Sequence, residues 1–142
     1  MSQENVEIVR SFITDFHAAQ TEAAWAGWID RLAEALDPEV EFDPSAIGAP
    51  DIDQTYRRIA EVQRFWRDWL AAWETLEFSY ELLDAGDRVV VLLEQRMRGR
   101  STGLELPLWE YAQVITFSSE RIVHWKVYMD QAEALEALGL QE

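Results

Sequence analysis

The stretch from Asp87 to Asp130 most constrains what this chain can fold into. It holds three long runs, Arg88 to Arg100, Leu104 to Phe117 and Arg121 to Met129, parted by Ser101-Thr102-Gly103 and Ser119-Glu120. Runs rich in β-branched and aromatic residues between turn residues read as consecutive antiparallel strands. Along the first run, Val89, Val91, Leu93, Gln95 and Met97 take one face. Val90, Leu92, Glu94, Arg96, Arg98 and Arg100 take the other. Successive strand residues point to opposite sides, so the more apolar row is expected to face a core.

The preceding half of the chain supplies the layer that would cover that row. Ser2 caps a first helix striped by Val6, Val9, Phe12, Ile13 and Phe16. Thr21 caps a second, striped by Trp25, Trp28, Ile29, Leu32 and Leu36 and ended at Asp37-Pro38, since a residue before proline is pushed out of helical geometry. A short strand, Val40 to Phe42, leads into an irregular loop from Asp43 to Asp53. A third helix is expected from about Thr55 to Thr75, with Ile59, Val62, Trp66, Trp69, Leu70 and Trp73 on one side. A strand from Leu76 to Leu83 and the turn Asp84-Ala85-Gly86-Asp87 open the sheet. Asp130 with Glu133 has capping-box spacing for a short last helix, which Gly139 stops. Helices first and antiparallel strands after them predict an α+β domain spanning residues 1–142.

If Ser119-Glu120 is a two-residue hairpin, the facing of the last two strands follows. Val123, Trp125, Val127 and Met129 point inward, opposite Thr116, Val114, Ala112 and Glu110. Trp109, Tyr111, Gln113, Ile115 and Phe117 then point outward beside His124, Lys126 and Tyr128. So aromatic an outer face suggests a second copy of the chain, and a homodimer seated on Trp109, Tyr111, His124 and Tyr128 is expected.

Charge excludes some partners. The formal net charge is -15, from 27 acids and 12 bases, which repels phosphate backbones and anionic membranes. Neither nucleic acid nor a membrane is expected as a partner. No apolar run approaches the ~18 residues of a membrane span, and Met1 to Arg10 is too polar and acidic for a secretory leader. A cytoplasmic location is expected. The absence of cysteine removes thiolate metal sites and cysteine nucleophiles. His17 and His124 have no metal-ligand spacing, and no phosphate loop, serine elbow or dinucleotide fingerprint occurs. No cofactor or metal is therefore expected. The seven tryptophans imply a thick core, an interface or an aromatic-lined cavity.

Several segments together resemble a known family. They are Glu4 to Phe16, Leu36-Asp37-Pro38-Glu39-Val40-Glu41-Phe42, Arg64-Phe65-Trp66-Arg67-Asp68-Trp69, Asp84 to Val91, and Tyr128 to Leu135. In order and spacing they are similar to the SnoaL-like family of the nuclear transport factor 2-like superfamily. The resemblance implies a cone-shaped barrel, a curved and mostly antiparallel sheet wrapped around three helices, with a pocket at the wide end. It also implies dimerisation through the outer sheet face. Members include polyketide cyclases, ketosteroid isomerases, epoxide hydrolases and proteins without known activity, so the fold alone does not give the function. The charged positions of the epoxide-hydrolase relatives correspond to Gln95, Met97 and Val127 here, and an uncharged set cannot run that mechanism. The glycine usual early in the third helix corresponds to Arg58.

Two functional readings follow. In the first, the chain is a cyclase- or isomerase-type enzyme that needs no cofactor. Glu110, the one inward acid of the expected register, removes a proton from a flat, apolar carbonyl compound. Tyr56 or Gln95 steadies the oxyanion, and Trp66, Trp69, Met97, Trp125, Val127 and Met129 line the pocket. In the second, the chain is a non-catalytic ligand-binding or dimerisation module.

Overall fold

A computed structural model describes residues 2–19, 21–45 and 55–139. The elements run α1 (Ser2–Ala18), α2 (Glu22–Ala35), β1 (Leu36–Asp43), β2 (Tyr56–Arg57), α3 (Arg58–Ala71), β3 (Trp73–Ala85), β4 (Arg88–Gly99), β5 (Trp109–Ser118), β6 (Arg121–Tyr128) and α4 (Gln131–Ala137). The strands form one sheet in the order β2-β1-β6-β5-β4-β3. Neighbours are antiparallel except β1 and β6, which are parallel. The sheet curves around α1, α2 and α3, giving the α+β half-barrel expected from the element order.

Local chemistry explains the elements. The Thr21 side chain accepts from the Ala24 amide at 3.1 Å, and Asp130 accepts from the Ala132 amide at 2.7 Å, so two of the three expected caps form; the side chain of the third, Ser2, lies outside those described. The helices are tied by side chains that reach across. Trp28 donates its indole N–H to the Phe12 carbonyl at 3.0 Å, and Gln63 donates to the Ile29 carbonyl at 3.0 Å. Gln131 donates to the Leu93 and Tyr111 carbonyls, pinning the start of α4 to the sheet.

Boundaries differ from expectation where backbone pairing wins over side-chain period. β1 starts at Leu36, not Val40, because Leu36 already pairs with Ile122. The irregular step after Leu36 accommodates Pro38. α3 is shorter than Thr55 to Thr75, since Tyr56 and Arg57 pair with Phe42 and Glu41 and Trp73 already belongs to β3. β5 starts at Trp109, not Leu104. Pro107 lacks the N–H a ladder needs, and the approach to the sheet is reduced to one bridge between Arg98 and Glu105. Of the loop expected from Asp43 to Asp53, residues 46–54 lie outside those described.

Arg58 has φ +71° at the first position of α3. The backbone therefore takes the left-handed path that glycine adopts freely and an L side chain resists by about 1–2 kcal/mol. Replacing Arg58 with Gly will raise the melting temperature by about 3 °C, part of the relief being offset by glycine's larger chain entropy. Thermal unfolding followed by circular dichroism checks this, and a fall in melting temperature would show the conformation to be unstrained.

The core lies between the sheet's concave face and the helices. Leu36, Val40, Val62 and Val89 are fully buried there, alongside a continuous set of aromatic contacts. Phe42 meets Phe65 and Trp125 at ring separations of 4.9 Å each, and Trp28 meets Trp66 edge-on at 5.5 Å. A smaller apolar cluster sits on the other face, where α4 lays Ala134 against Val90, Ala112 and Val114.

One register correction decides the site. The turn at Ser119-Glu120 is the expected two-residue hairpin, with positive φ at both residues and Ser118 opposite Arg121. Phe117 then faces Ile122, but Thr116 faces His124, so Val123 is an extra residue in β6. A one-residue bulge inverts the facing of everything paired beyond it. Trp125 and Val127 stay inward as expected, whereas β5 is reversed. Tyr111, Ile115 and Phe117 join the main core, while Ala112 and Val114 point outward under α4.

Candidate functional site

The concave side of the sheet holds a cavity of about 90 Å³ between the helices and the strands. Helix side chains wall one side, chiefly Phe12, Phe16, Trp28, Trp66 and Trp69. The strands supply Val91, Leu93, Ile115 and Trp125, with three polar groups set among them: Gln95, Tyr111 and Gln113. Alternation along β4 and β5 brings these three to one face. Gln95 lies opposite Trp109, Leu93 opposite Tyr111, and Val91 opposite Gln113.

The polar groups form a directed series. The Trp125 indole N–H donates to Gln113 Oε1 at 2.9 Å, the Tyr111 hydroxyl donates to Gln95 Oε1 at 2.7 Å, and Gln95 Nε2 donates to Met97 Sδ at 3.1 Å. Burial pushes the Tyr111 phenol well above the usual tyrosine range, against a smaller opposing effect of the neighbouring Gln113. Tyr111 is therefore a neutral hydrogen-bonding group, never a base, at physiological pH. Trp66 is 8% exposed and its indole N–H has no partner among the described residues.

The structure separates the residues expected at the site. Trp66, Trp69, Gln95 and Trp125 line the cavity. Tyr56, Met97 and Val127 are buried but do not line it; Tyr56 packs on Phe42 and Phe65 instead. Met129 follows the end of β6, half-buried and away from the cavity. Glu110 is a correction. It is exposed, opposite the equally exposed Glu94 on the outer face, because the Val123 bulge reverses the strand that carries it. Its basis as an inward acid is gone.

The outer face is corrected with it. Trp109 and Tyr111, expected to seat a second copy, stack on each other at 3.8 Å on the inner side, and Tyr111 is buried in the core. His124 and Tyr128 do lie outside, on a face more charged than aromatic. Lys126 sits over the Tyr128 ring at 5.1 Å, and Arg57 pairs with Glu41 at 3.5 Å. Burial works to raise the nearby Asp43 carboxyl, yet hydrogen bonds from Ser45 and the charges of Lys126 and His124 outweigh it and hold it low.

Tyr111 and Gln113 were missed as site residues. Their signal was present, since both lie in the more apolar of the strand's two alternating rows, but the assumed register sent that row outward. Among the described residues, no group of three His, Cys, Asp or Glu could hold a metal ion. No helix among them is long and apolar enough to cross a membrane.

A search of curated proteins finds no match. Solved structures do resemble this one. A nuclear transport factor 2-like protein of unknown function from Burkholderia pseudomallei is 22% identical over 95% of this chain and 97% of that one, with a TM-score of 0.73. TerC, co-crystallised with polyporic acid, is 17% identical over 96% and 98% of the two chains, with a TM-score of 0.70. A putative SnoaL-like polyketide cyclase from Jannaschia sp. CCS1 is 16% identical over 99% and 95%, also with a TM-score of 0.70. At these identities the likeness shows the fold. The family model of the SnoaL-like domain matches residues 13–125, from within α1 to Trp125 at the cavity wall, and with the half-barrel already described this places the chain in the SnoaL-like family of the nuclear transport factor 2-like superfamily.

Proposed function

We propose that the chain is a small-molecule binding protein whose ligand is flat, mostly apolar and no larger than about one ring at its buried end. The observation that carries this is the aromatic-walled cavity with three polar groups on one side of it. Ligand sites are apolar hollows with a few placed polar groups, which is this arrangement. Its 90 Å³ is less than the ~150 Å³ of an engineered core cavity that takes benzene, so an aryl ring enters only if an indole shifts. A fold relative co-crystallised with polyporic acid supports a ligand of the aromatic kind.

Binding without proton transfer is favoured over the proton-abstraction reading. Among the described residues lining the cavity there is no carboxylate and no imidazole, and Tyr111 stays protonated. A cavity without a group that titrates near neutrality has no general base.

Tryptophan fluorescence tests this with toluene and other single-ring aromatics. Saturable quenching is expected, with an affinity constant between about pH 5 and 9, since no lining group among those described changes charge in that range. Val91→Phe fills the cavity from the sheet side and will weaken binding at least tenfold while the protein stays folded. Equal binding by the filled variant, or a bell-shaped pH dependence, defeats the proposal.

A further inference from the structure

We propose that an apolar strip running on from the cavity holds a hydrocarbon tail, so that the ligand is a single ring carrying a straight alkyl chain. The inference rests on the small-molecule reading above and adds the second half of the molecule.

Strand register builds the strip. On the concave face, residues of β4 lie level with partners on both sides. Phe78, Gln95 and Trp109 make one level. Leu76, Met97 and Leu106 make the next, since Leu76 pairs with Met97 and the Leu106 amide donates to the Met97 carbonyl at 2.9 Å. Trp73, Gly99 and Leu104 make the last, the Gly99 amide donating to the Leu104 carbonyl at 3.0 Å. Between the two leucines, Glu105 pairs with Arg98, of the outer row, and meets its guanidinium at 2.7 Å. Alternation therefore turns Leu104 and Leu106 to the concave side.

The strip is continuous with the cavity. Leu76, Phe78 and Gln95 line the cavity, and Trp69 on its wall meets Trp73 edge-on at 5.5 Å. Leu104 and Leu106 are 65% and 41% exposed. With Leu108 they are the exposed large apolar side chains among the described residues, gathered in one short segment. Such a concentration marks a binding surface. A second copy of the chain is the poorer occupant. Two leucines beside Trp73 and Trp109 fall far short of the roughly 800 Å² that each partner gives to a stable interface, and two copies of net charge -15 repel. A tail tethered by its ring in the cavity needs only a strip.

The strip has an end. A Cβ on Gly99 would lie 2.7 Å from Thr102 Oγ1, so this hydroxyl covers the strand there and closes the strip with a polar group. From Gln95 to Gly99 the strand advances about 13 Å, room for about eight to ten extended carbons.

Isothermal titration with phenyl ketones carrying straight chains of increasing length tests this. Affinity is expected to rise about twofold per added methylene, half the free energy of full burial because one side of the strip faces water. The rise is expected to stop beyond about ten carbons. Replacing two exposed side chains together, Leu104→Ser with Leu106→Ser, will leave acetophenone binding unchanged and weaken octanophenone at least tenfold. An equal rise with chain length in both proteins would overturn the proposal, as would a double variant that weakens acetophenone as much as octanophenone. Sedimentation velocity at micromolar concentration tests the rival occupant: a dimer that the double variant splits assigns the leucines to a second copy, and the tail site is wrong. If short ketones bind and longer ones bind no tighter, the pocket reading stands and the tail site is again wrong. If none binds, the pocket reading itself fails.

Discussion

Trp125→Ala will lower folding stability by about 3–5 kcal/mol, the range for truncating a buried aromatic side chain, and will abolish ligand binding. The size follows from what the indole touches. Trp125 is 6% exposed and packs against Phe42 at 4.9 Å and Trp66 at 5.6 Å, so it joins β1, α3 and β6. Its removal opens a void beside a space that is already partly empty, and neighbours facing a cavity have little to collapse onto. It also frees Gln113, whose amide oxygen accepts the Trp125 N–H at 2.9 Å. Trp125→Phe separates the two effects. That variant retains most of the packing and loses the hydrogen bond, so about 1–2 kcal/mol is expected. Urea unfolding with an unchanged m-value measures both. A loss below about 1 kcal/mol for the alanine variant would mean that the indole is not the joint between helix layer and sheet.

The fold was legible because its signals are redundant. The apolar stripe of α1, the cap at Thr21, the long alternation of β4 and the capping box at Asp130 each stand alone, and each agrees with the others. The cavity was half legible. Trp66 and Trp69 follow from helical period, and Gln95 from the alternation of β4, none of which depends on another strand. Tyr111 and Gln113 depend on the pairing of β5, which had to be inferred through β6. There the signal fails for a physical reason. A bulge is one unpaired residue, and Ile122-Val123 offers two apolar β-branched residues in a row, either of which suits an inward position. Composition cannot say which is the extra one. The neighbouring strand could have. Inward β5 reads Trp109, Tyr111, Gln113, Ile115, Phe117, a far more apolar row than Glu110, Ala112, Val114, Thr116. An outer face made of the first row is a costlier arrangement than one bulge.

Inserting a second valine after Val123 will destabilise the domain far more than deleting Val123, which will be tolerated. The asymmetry comes from the pairing. With Val123 removed, Phe117 opposite Ile122 and Thr116 opposite His124 become adjacent regular pairs, and Ile115 still meets Trp125. No side chain changes face. The loss is the local bend of β6 and its match to β1, where the step between Leu36 and Glu41 spans the same place. A cost on the order of 1–2 kcal/mol is expected, that of an ordinary single change. An added residue has two outcomes: with the bulge kept, Trp125 and Val127 move to the outer face; with the bulge given up, both stay inward and every pair beyond it slides two residues along β5. The first exposes two large apolar side chains, at about 1.5–3 kcal/mol each before any packing loss, and brings the charged row, with Lys126 among it, into the core. The second breaks the present pairing of β6 with both β5 and β1 beyond the insertion, and against a total stability of about 5–15 kcal/mol either is a heavy loss. Near-ultraviolet circular dichroism, which reports the packed indoles, distinguishes the two variants directly. An insertion variant as stable as the deletion variant, with native Trp signals, would show that β6 shifts its register along β5 at little cost, and that the present pairing of Ile115 with Trp125 does not fix the sheet.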